Sequence, residues 1–196
     1  RPDHTWRILD ALSECKGVSE WFLFASVDQP ADPDVVRLLE SVNFMPAEVT
    51  VASRPLGCNE NTWRPIDAAF EEGNFDFVVH LEDDHLLAPD ALEYFEWGRQ
   101  FLDDPMLYNL SSYTRDVKDP DDHRVISRDW FTSTGAWAID EKRWYDDFRH
   151  FPRFQPLWDC WLTLEQRGQR YEYAPELSRC QNIGEGEGSL HPRNHA

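Results

Sequence analysis

FDFVVHLEDD, residues 75–84, decides how this chain is read. Residues 75–81 form an almost unbroken apolar run and predict a core strand. The run stops at three consecutive carboxylates, Glu82, Asp83 and Asp84. Side chains alternate along a strand, so Glu82 and Asp84 share one face, with Asp83 on the other, for as long as the chain stays extended. Three adjacent carboxylates repel one another, and a divalent cation among them relieves the repulsion. Hard oxygen ligands suit Mg²⁺ or Mn²⁺, and such an ion can also carry a pyrophosphate. The plainer alternative is a solvated acidic turn that caps the following helix. His85, Pro89 and the amphipathic stretch after them favour a built site.

Working outward from this strand, helix and strand signals alternate. Residues 5–16 carry Trp6, Ile8, Leu9 and Leu12 at helical spacing, and residues 21–27 (WFLFASV) predict a buried strand ending at Asp28. Asp32-Pro33-Asp34 opens a helix whose buried face is Val35, Leu38, Leu39 and Val42. A strand is expected over 49–53, a helix over 59–72 closed by Gly73, and another helix over 89–102. Shorter strands are expected over 107–111, 124–127 and 136–139, then a helix over 158–167 and a last strand over 171–174. From residue 182 the chain is Gly-rich and polar, as in a mobile tail. Alternating βα units imply one α/β domain with a mostly parallel central sheet and helices on both faces. Ligands of such sheets bind at the carboxyl ends of the strands, where Asp28 and Glu82-Asp83-Asp84 fall. Such a sheet normally opens with a strand, whereas this chain opens with a helix, so a strand is expected before Arg1.

Composition limits the function. With 37 acidic and 19 basic residues among 196, the formal net charge is −18. That surface repels nucleic acid and anionic membranes. An anionic substrate then needs a metal ion or a local basic pocket. Nine Trp in a chain that is 14% aromatic suggest stacking surfaces as well as a core. Cys15, Cys58, Cys160 and Cys180 form no CxxC pair, so a structural zinc site is not expected; reduced thiols in a cytoplasm are the plainest reading, with one or two disulfides left open. No stretch has the ~20 apolar residues of a membrane span, and residues 1–4 are no signal peptide. The expectation is a soluble cytoplasmic protein; the alternative is a lumenal catalytic fragment trimmed of its anchor.

A second constellation is Trp158-Asp159-Cys160-Trp161. A carboxylate between large rings is partly desolvated, which raises its basicity and suits a general base. A helix-capping Asp between core Trp residues is the simpler reading of this segment alone.

Together the pieces resemble the N-acetylglucosaminyltransferase I family of inverting transferases with the GT-A fold. Glu82-Asp83-Asp84, with Ala88-Pro89-Asp90 and Glu93-Tyr94-Phe95, is similar to the family's EDD metal motif and the helix after it. Trp158-Asp159-Cys160-Trp161 resembles its WDDW segment, residues 175–179 (PELSR) its PEISR segment, and Arg1 with Thr5, Arg7, Leu9, Asp10 and Leu12 the helix after its first strand.

The resemblance implies a nucleotide-binding half over about residues 1–84, an acceptor-side half over about 85–181 and a mobile tail over 182–196. Asp84 would be the metal ligand for Mn²⁺ or Mg²⁺. Glu82 and Asp83 would contact the donor sugar and ribose. Asp28 would read uracil, Arg1 would line the nucleotide pocket, and Gly135-Ala136-Trp137 would pass beside the donor. Asp159 would be the catalytic base, and Trp137, Trp158 and Trp161 are candidates to stack on sugar rings. The implied activity is metal-dependent transfer of a sugar, N-acetylglucosamine in the family's name, from a UDP-sugar to a hydroxyl of a carbohydrate or glycoconjugate acceptor, with inversion. Cys160 departs from the second Asp of WDDW, and Glu185 and Glu187 stand where the relative has basic residues. His191 is placed to reach the metal if the tail closes. Two other readings stay open: a metal-dependent phosphodiesterase or sugar-nucleotide hydrolase using His80, Asp83, Asp84, His85 and His123, and a non-catalytic carbohydrate-binding module.

Overall fold

The structure is a computed structural model that describes residues 1–115, 119, 121–131, 135–151 and 158–184. Helix α1 (Pro2–Ser13) starts on Pro2, with Asp3 in its first turn, and buries Thr5, Ile8 and Leu12 on one face. Strand β1 (Leu23–Val27), helix α2 (Pro33–Glu40) and strand β2 (Ala47–Val51) form a parallel β-α-β unit, in register from Leu23 opposite Ala47 to Val27 opposite Val51. The Asp32 side chain caps α2 by accepting the Asp34 N–H at 2.8 Å. Helix α3 (Gly57–Asp67) continues through a wider turn, Ala68–Glu72, and leads to β3 (Phe77–His80) and β4 (His85–Leu87).

Then follow α4 (Ala91–Arg99), β5 (Leu107–Ser111), β6 (Val125–Arg128), β7 (Trp137–Asp140) and α5 (Glu141–Asp146). The described chain closes with α6 (Trp158–Trp161), β8 (Tyr171–Pro175) and β9 (Cys180–Asn182). The tail from residue 185, including Glu185, Glu187 and His191, lies outside the described residues.

The main sheet has strand order β3-β7-β5-β8-β6. It corrects the expectation of a mostly parallel sheet: β3/β7, β5/β7 and β6/β8 are antiparallel, and β5/β8 is the parallel pairing. Parallel neighbours need a long crossover, normally a helix. Among the described residues no helix separates β5, β6 and β7, so the chain reverses direction there. The βα alternation holds for β1-α2-β2 and fails after α4. Two helices were also not expected as they occur: α5 was missed, and the 158–167 helix is a single α-turn followed by a wider turn, Leu162–Gln166.

Strand β1 is less buried than its sequence suggests. Only Val27 is fully buried, and α2 has no fully buried residue. No ladder joins β1 to β3 among the described residues. Their starts are bridged by rings instead, Trp21 on Phe77 at 6.1 Å and Phe24 on Phe75 at 5.7 Å. Between the strands lies a cavity of about 2120 Å³ that reaches Asp28 and Glu82 at their ends.

Two cores flank the main sheet. One joins α1, α4 and the strands through Leu12, Leu92, Phe95, Leu107 and Leu110. The other is aromatic, with Trp63, Trp137, Trp144, Phe148 and Trp158. Trp6, Trp97 and Trp130 are the exposed tryptophans among the described residues. Arg143 closes the far side of the sheet. It is 5% exposed and donates to the Leu107, Leu102 and Asp104 carbonyls at 2.7–2.8 Å and to Asp140 Oδ2 at 2.8 Å. Arg143→Leu would take the donor from the Leu102 and Leu107 carbonyls in the interior and from the more exposed Asp104 carbonyl and Asp140 carboxylate, at a cost of about 2–4 kcal/mol. Urea denaturation should show that loss; an unchanged midpoint would remove Arg143 from this structural role.

Candidate active site

The carboxylate triplet does not continue β3. The His85 N–H donates to the Glu82 carbonyl at 3.2 Å, closing a tight turn through Asp83 and Asp84 before β4. The turn gives the partition that alternation predicted, by a different route. Asp83 points outward, its side chain 60% exposed, whereas that of Asp84 is 17% exposed. Arg1, at the start of α1, forks onto Asp83 with contacts of 2.8 and 3.1 Å and comes within 3.7 Å of Asp84. Strand β9 closes the other side. The Ile183 N–H donates to the Asp84 carbonyl at 2.7 Å. Gly184 passes so close that a β-carbon there would lie 2.1 Å from Asp84 Oδ2. Asp84 Oδ1 is buried and has no hydrogen-bond partner.

Glu82, Asp84 and His85 each present one ligand atom within 4.8 Å of the others. Burial, then the charges of Asp84, Asp83 and Asp159, push the Glu82 carboxyl up to about 8. Burial holds the His85 imidazole below its ordinary range, against the opposing pull of Asp84 and Asp83. This is a site with excess negative charge, a desolvated carboxyl and an orphaned carboxylate oxygen. Oxygen and imidazole donors of this kind fit a divalent ion such as Mn²⁺.

Asp159 sits in the first turn of α6, where its Oδ1 accepts the Cys160 N–H at 2.8 Å. The preceding residue fixes that turn. Trp158 packs against Trp63 at 5.4 Å, Trp137 at 5.9 Å and the edge of His80 at 5.8 Å. His80 in turn stacks on Trp137 at 4.7 Å. The aromatic core thereby connects the strand that delivers the triplet with the helix that delivers Asp159.

Arg1, Asp28, Glu82, Asp83, Asp84, Trp158 and Asp159 all line this cavity. Gly135 is not on its wall; it lies behind the triplet, where its N–H donates to His85 Nε2 at 3.0 Å. Its φ of +101° suits glycine. Asp28 is heavily committed to backbone: Oδ1 accepts from Gln29 and Leu56 at 2.7 Å, and Oδ2 from Gly57 at 2.9 Å. Burial raises its carboxyl, but these donors outweigh burial and hold it below the ordinary range. Its clearest role is therefore to shape the loop into α3. Trp137 is 0% exposed, so it is core and not a stacking platform; Trp158 is 5% exposed and shows the cavity little of its ring. His123 lies in a separate pocket of about 290 Å³ with Val125 and Arg179, which breaks up the five-residue two-metal set of the hydrolase reading. The α/β architecture likewise departs from the all-β build expected of a sugar-binding module.

Comparison with known proteins gives the family. The GNT-I family model matches residues 62–192. The chain belongs to the GNT-I family. It is also 30% identical over 132 residues to an alpha-1,3-mannosyl-glycoprotein 2-beta-N-acetylglucosaminyltransferase of Arabidopsis thaliana, a match covering 64% of this chain and 29% of that relative. The GNT-I match includes the triplet, His85, Gly135 and Asp159; Arg1 and Asp28 lie outside it. Among the described residues no helix is long and apolar enough to cross a membrane, and all four cysteines are free thiols.

Sequence reasoning took His85 as a sign of a built site but as a ligand only in the hydrolase reading, and overlooked Gly184. The signal for His85 was a histidine directly after three carboxylates; Gly184 had none, because its proximity to Asp84 comes from pairing 93–97 residues apart in β4/β9. Gly184→Ala should displace the Asp84 carboxylate and weaken Mn²⁺ binding about tenfold, read by calorimetric titration. Wild-type affinity in that variant would show that β9 does not shape the site.

Proposed function

We propose that this chain is the donor-binding and catalytic region of a metal-dependent inverting glycosyltransferase of GT-A type. It moves a sugar from a UDP-sugar to a hydroxyl of a carbohydrate or glycoconjugate acceptor, with N-acetylglucosamine suggested by the name of the Arabidopsis relative. The observation that carries this reading is that Asp84 and Asp159, delivered by different elements, line one cavity inside a GNT-I family match.

Asp84, with Glu82 and His85 beside it, would hold the Mn²⁺ or Mg²⁺ ion. When bound, such an ion supplies Lewis-acid charge to the diphosphate of the leaving group. Arg1 pairs with Asp83 on the cavity wall, so of the triplet Glu82 and Asp84 are left for the ion. Asp159 takes the proton of the acceptor hydroxyl at a carboxylate oxygen as that hydroxyl attacks the anomeric carbon. One displacement inverts that carbon and needs no covalent enzyme intermediate. The Trp158 packing fixes the α6 turn and so holds the base in place.

Asp159→Asn keeps the side chain's shape and removes its basicity. Transfer should fall by about 10²–10⁴-fold with UDP affinity nearly unchanged. Near wild-type turnover would take Asp159 out of its role. Asp84→Ala should abolish the Mn²⁺ dependence of UDP binding in a thermal-shift titration. Equal UDP binding by the native protein with and without chelator would sink the metal-assisted reading.

A further inference from the structure

We propose that His85 is a second protein ligand of the divalent ion, through Nε2, beside Asp84 Oδ1. The assignment rests on the metal-assisted reading above and adds to it a nitrogen donor.

His85 is 1% exposed at the first position of β4, where pairing with Asn182 of β9 fixes its backbone. Its Nε2 accepts the Gly135 N–H at 3.0 Å, while the Glu82 N–H approaches Nδ1 at a longer 3.4 Å. A neutral imidazole accepts at one nitrogen only, and the shorter contact assigns the lone pair to Nε2. That nitrogen lies 3.3 Å from Asp84 Oδ1, which is buried and has no hydrogen-bond partner.

Nε2 and Asp84 Oδ1 therefore stand at short range, out of water, with no hydrogen bond between them. Alone, such a contact is repulsive. A cation between them makes it attractive. Ligands about 2.1 Å from an ion on adjacent octahedral vertices stand about 3 Å apart, close to the spacing already present. Glu82 supplies a further oxygen within reach. Ligation takes the lone pair from the Gly135 amide and so exchanges that hydrogen bond for a bond to the ion.

An imidazole ligand favours Mn²⁺ and Co²⁺ over Mg²⁺, which prefers oxygen and retained water. The site should therefore discriminate between ions that an all-carboxylate site would treat more alike.

The test titrates the full chain with Mn²⁺ alone and records electron spin-echo modulation of the bound ion. Directly coordinated ¹⁴N should appear in the native protein and vanish in His85→Gln, with Mn²⁺ affinity about tenfold weaker and Mg²⁺ affinity little changed. If His85→Gln does not fold, native protein labelled with [¹⁵N]histidine replaces it, and the modulation should move to ¹⁵N frequencies. Tight Mn²⁺ binding without nitrogen modulation overturns the ligand assignment and leaves the metal-assisted reading intact. Absence of any Mn²⁺ binding by the native protein overturns both.

Discussion

The site depends on holding three consecutive carboxylates together at the end of β3 in a protein with a net charge of −18. Left in an extended strand they would splay, two inward and one outward, with nothing to offset their repulsion. The fold controls them by position. A tight turn pulls Asp84 back over His85, Arg1 neutralises Asp83 from the start of α1, and β9 presses on Asp84 from above. Asp83 is the member that receives a full ion pair. Asp84 is left with a buried, unpartnered oxygen, and Glu82 is pushed toward protonation. The uncompensated charge is concentrated where it faces the cavity.

The aromatic core determines how accurately that charge meets Asp159. His80 is the last residue of β3, two before Glu82, and Trp158 immediately precedes Asp159. Both pack on Trp137, whose neighbours along β7 pair with β3 and β5. Rings of this size interlock with few rotamer alternatives. The distance between the triplet and Asp159 is thus governed by a dry, rigid layer below the cavity floor, and not by the loops at its rim. This accounts for four of the nine tryptophans: Trp63, Trp137, Trp144 and Trp158 are interior.

Features fixed by local chemistry were legible in the sequence. The Asp32-Pro33 helix start, the strand before the triplet and the helix after Pro89 all depend on capping, φ restriction and short apolar periodicity within one segment. Sheet direction was not legible, since β6 and β7 reverse the chain through pairings with strands far away in sequence. Strands β4 and β9 have three residues each, too few for alternation to register, yet they place His85 and Gly184 at the site. The apolar run at 21–27 marked a strand correctly, but its burial depends on what fills the space next to β1, which no local pattern encodes. Trp137 shows the same limit. An aromatic residue beside an active site has one sequence signature whether it floors the cavity or faces the ligand.

Charge also explains why a cation belongs in the proposed chemistry. A nucleotide diphosphate approaching this cavity meets Asp28, the triplet and Asp159. Of the basic groups on the wall, which include Arg115, three are engaged: Arg1 with Asp83, Lys16 with Glu93 and Arg99 with Asp76. Redirecting any of those three to a phosphate leaves a carboxylate unpaired, so the net electrostatic gain from them is small. A divalent ion changes the sign of the local field without breaking those pairs, and it does so beside Asp84 Oδ1, a buried carboxylate oxygen without a hydrogen-bond partner. The acidity that makes the surface unsuited to nucleic acid is thus compatible with a nucleotide donor when an ion brings positive charge to the triplet.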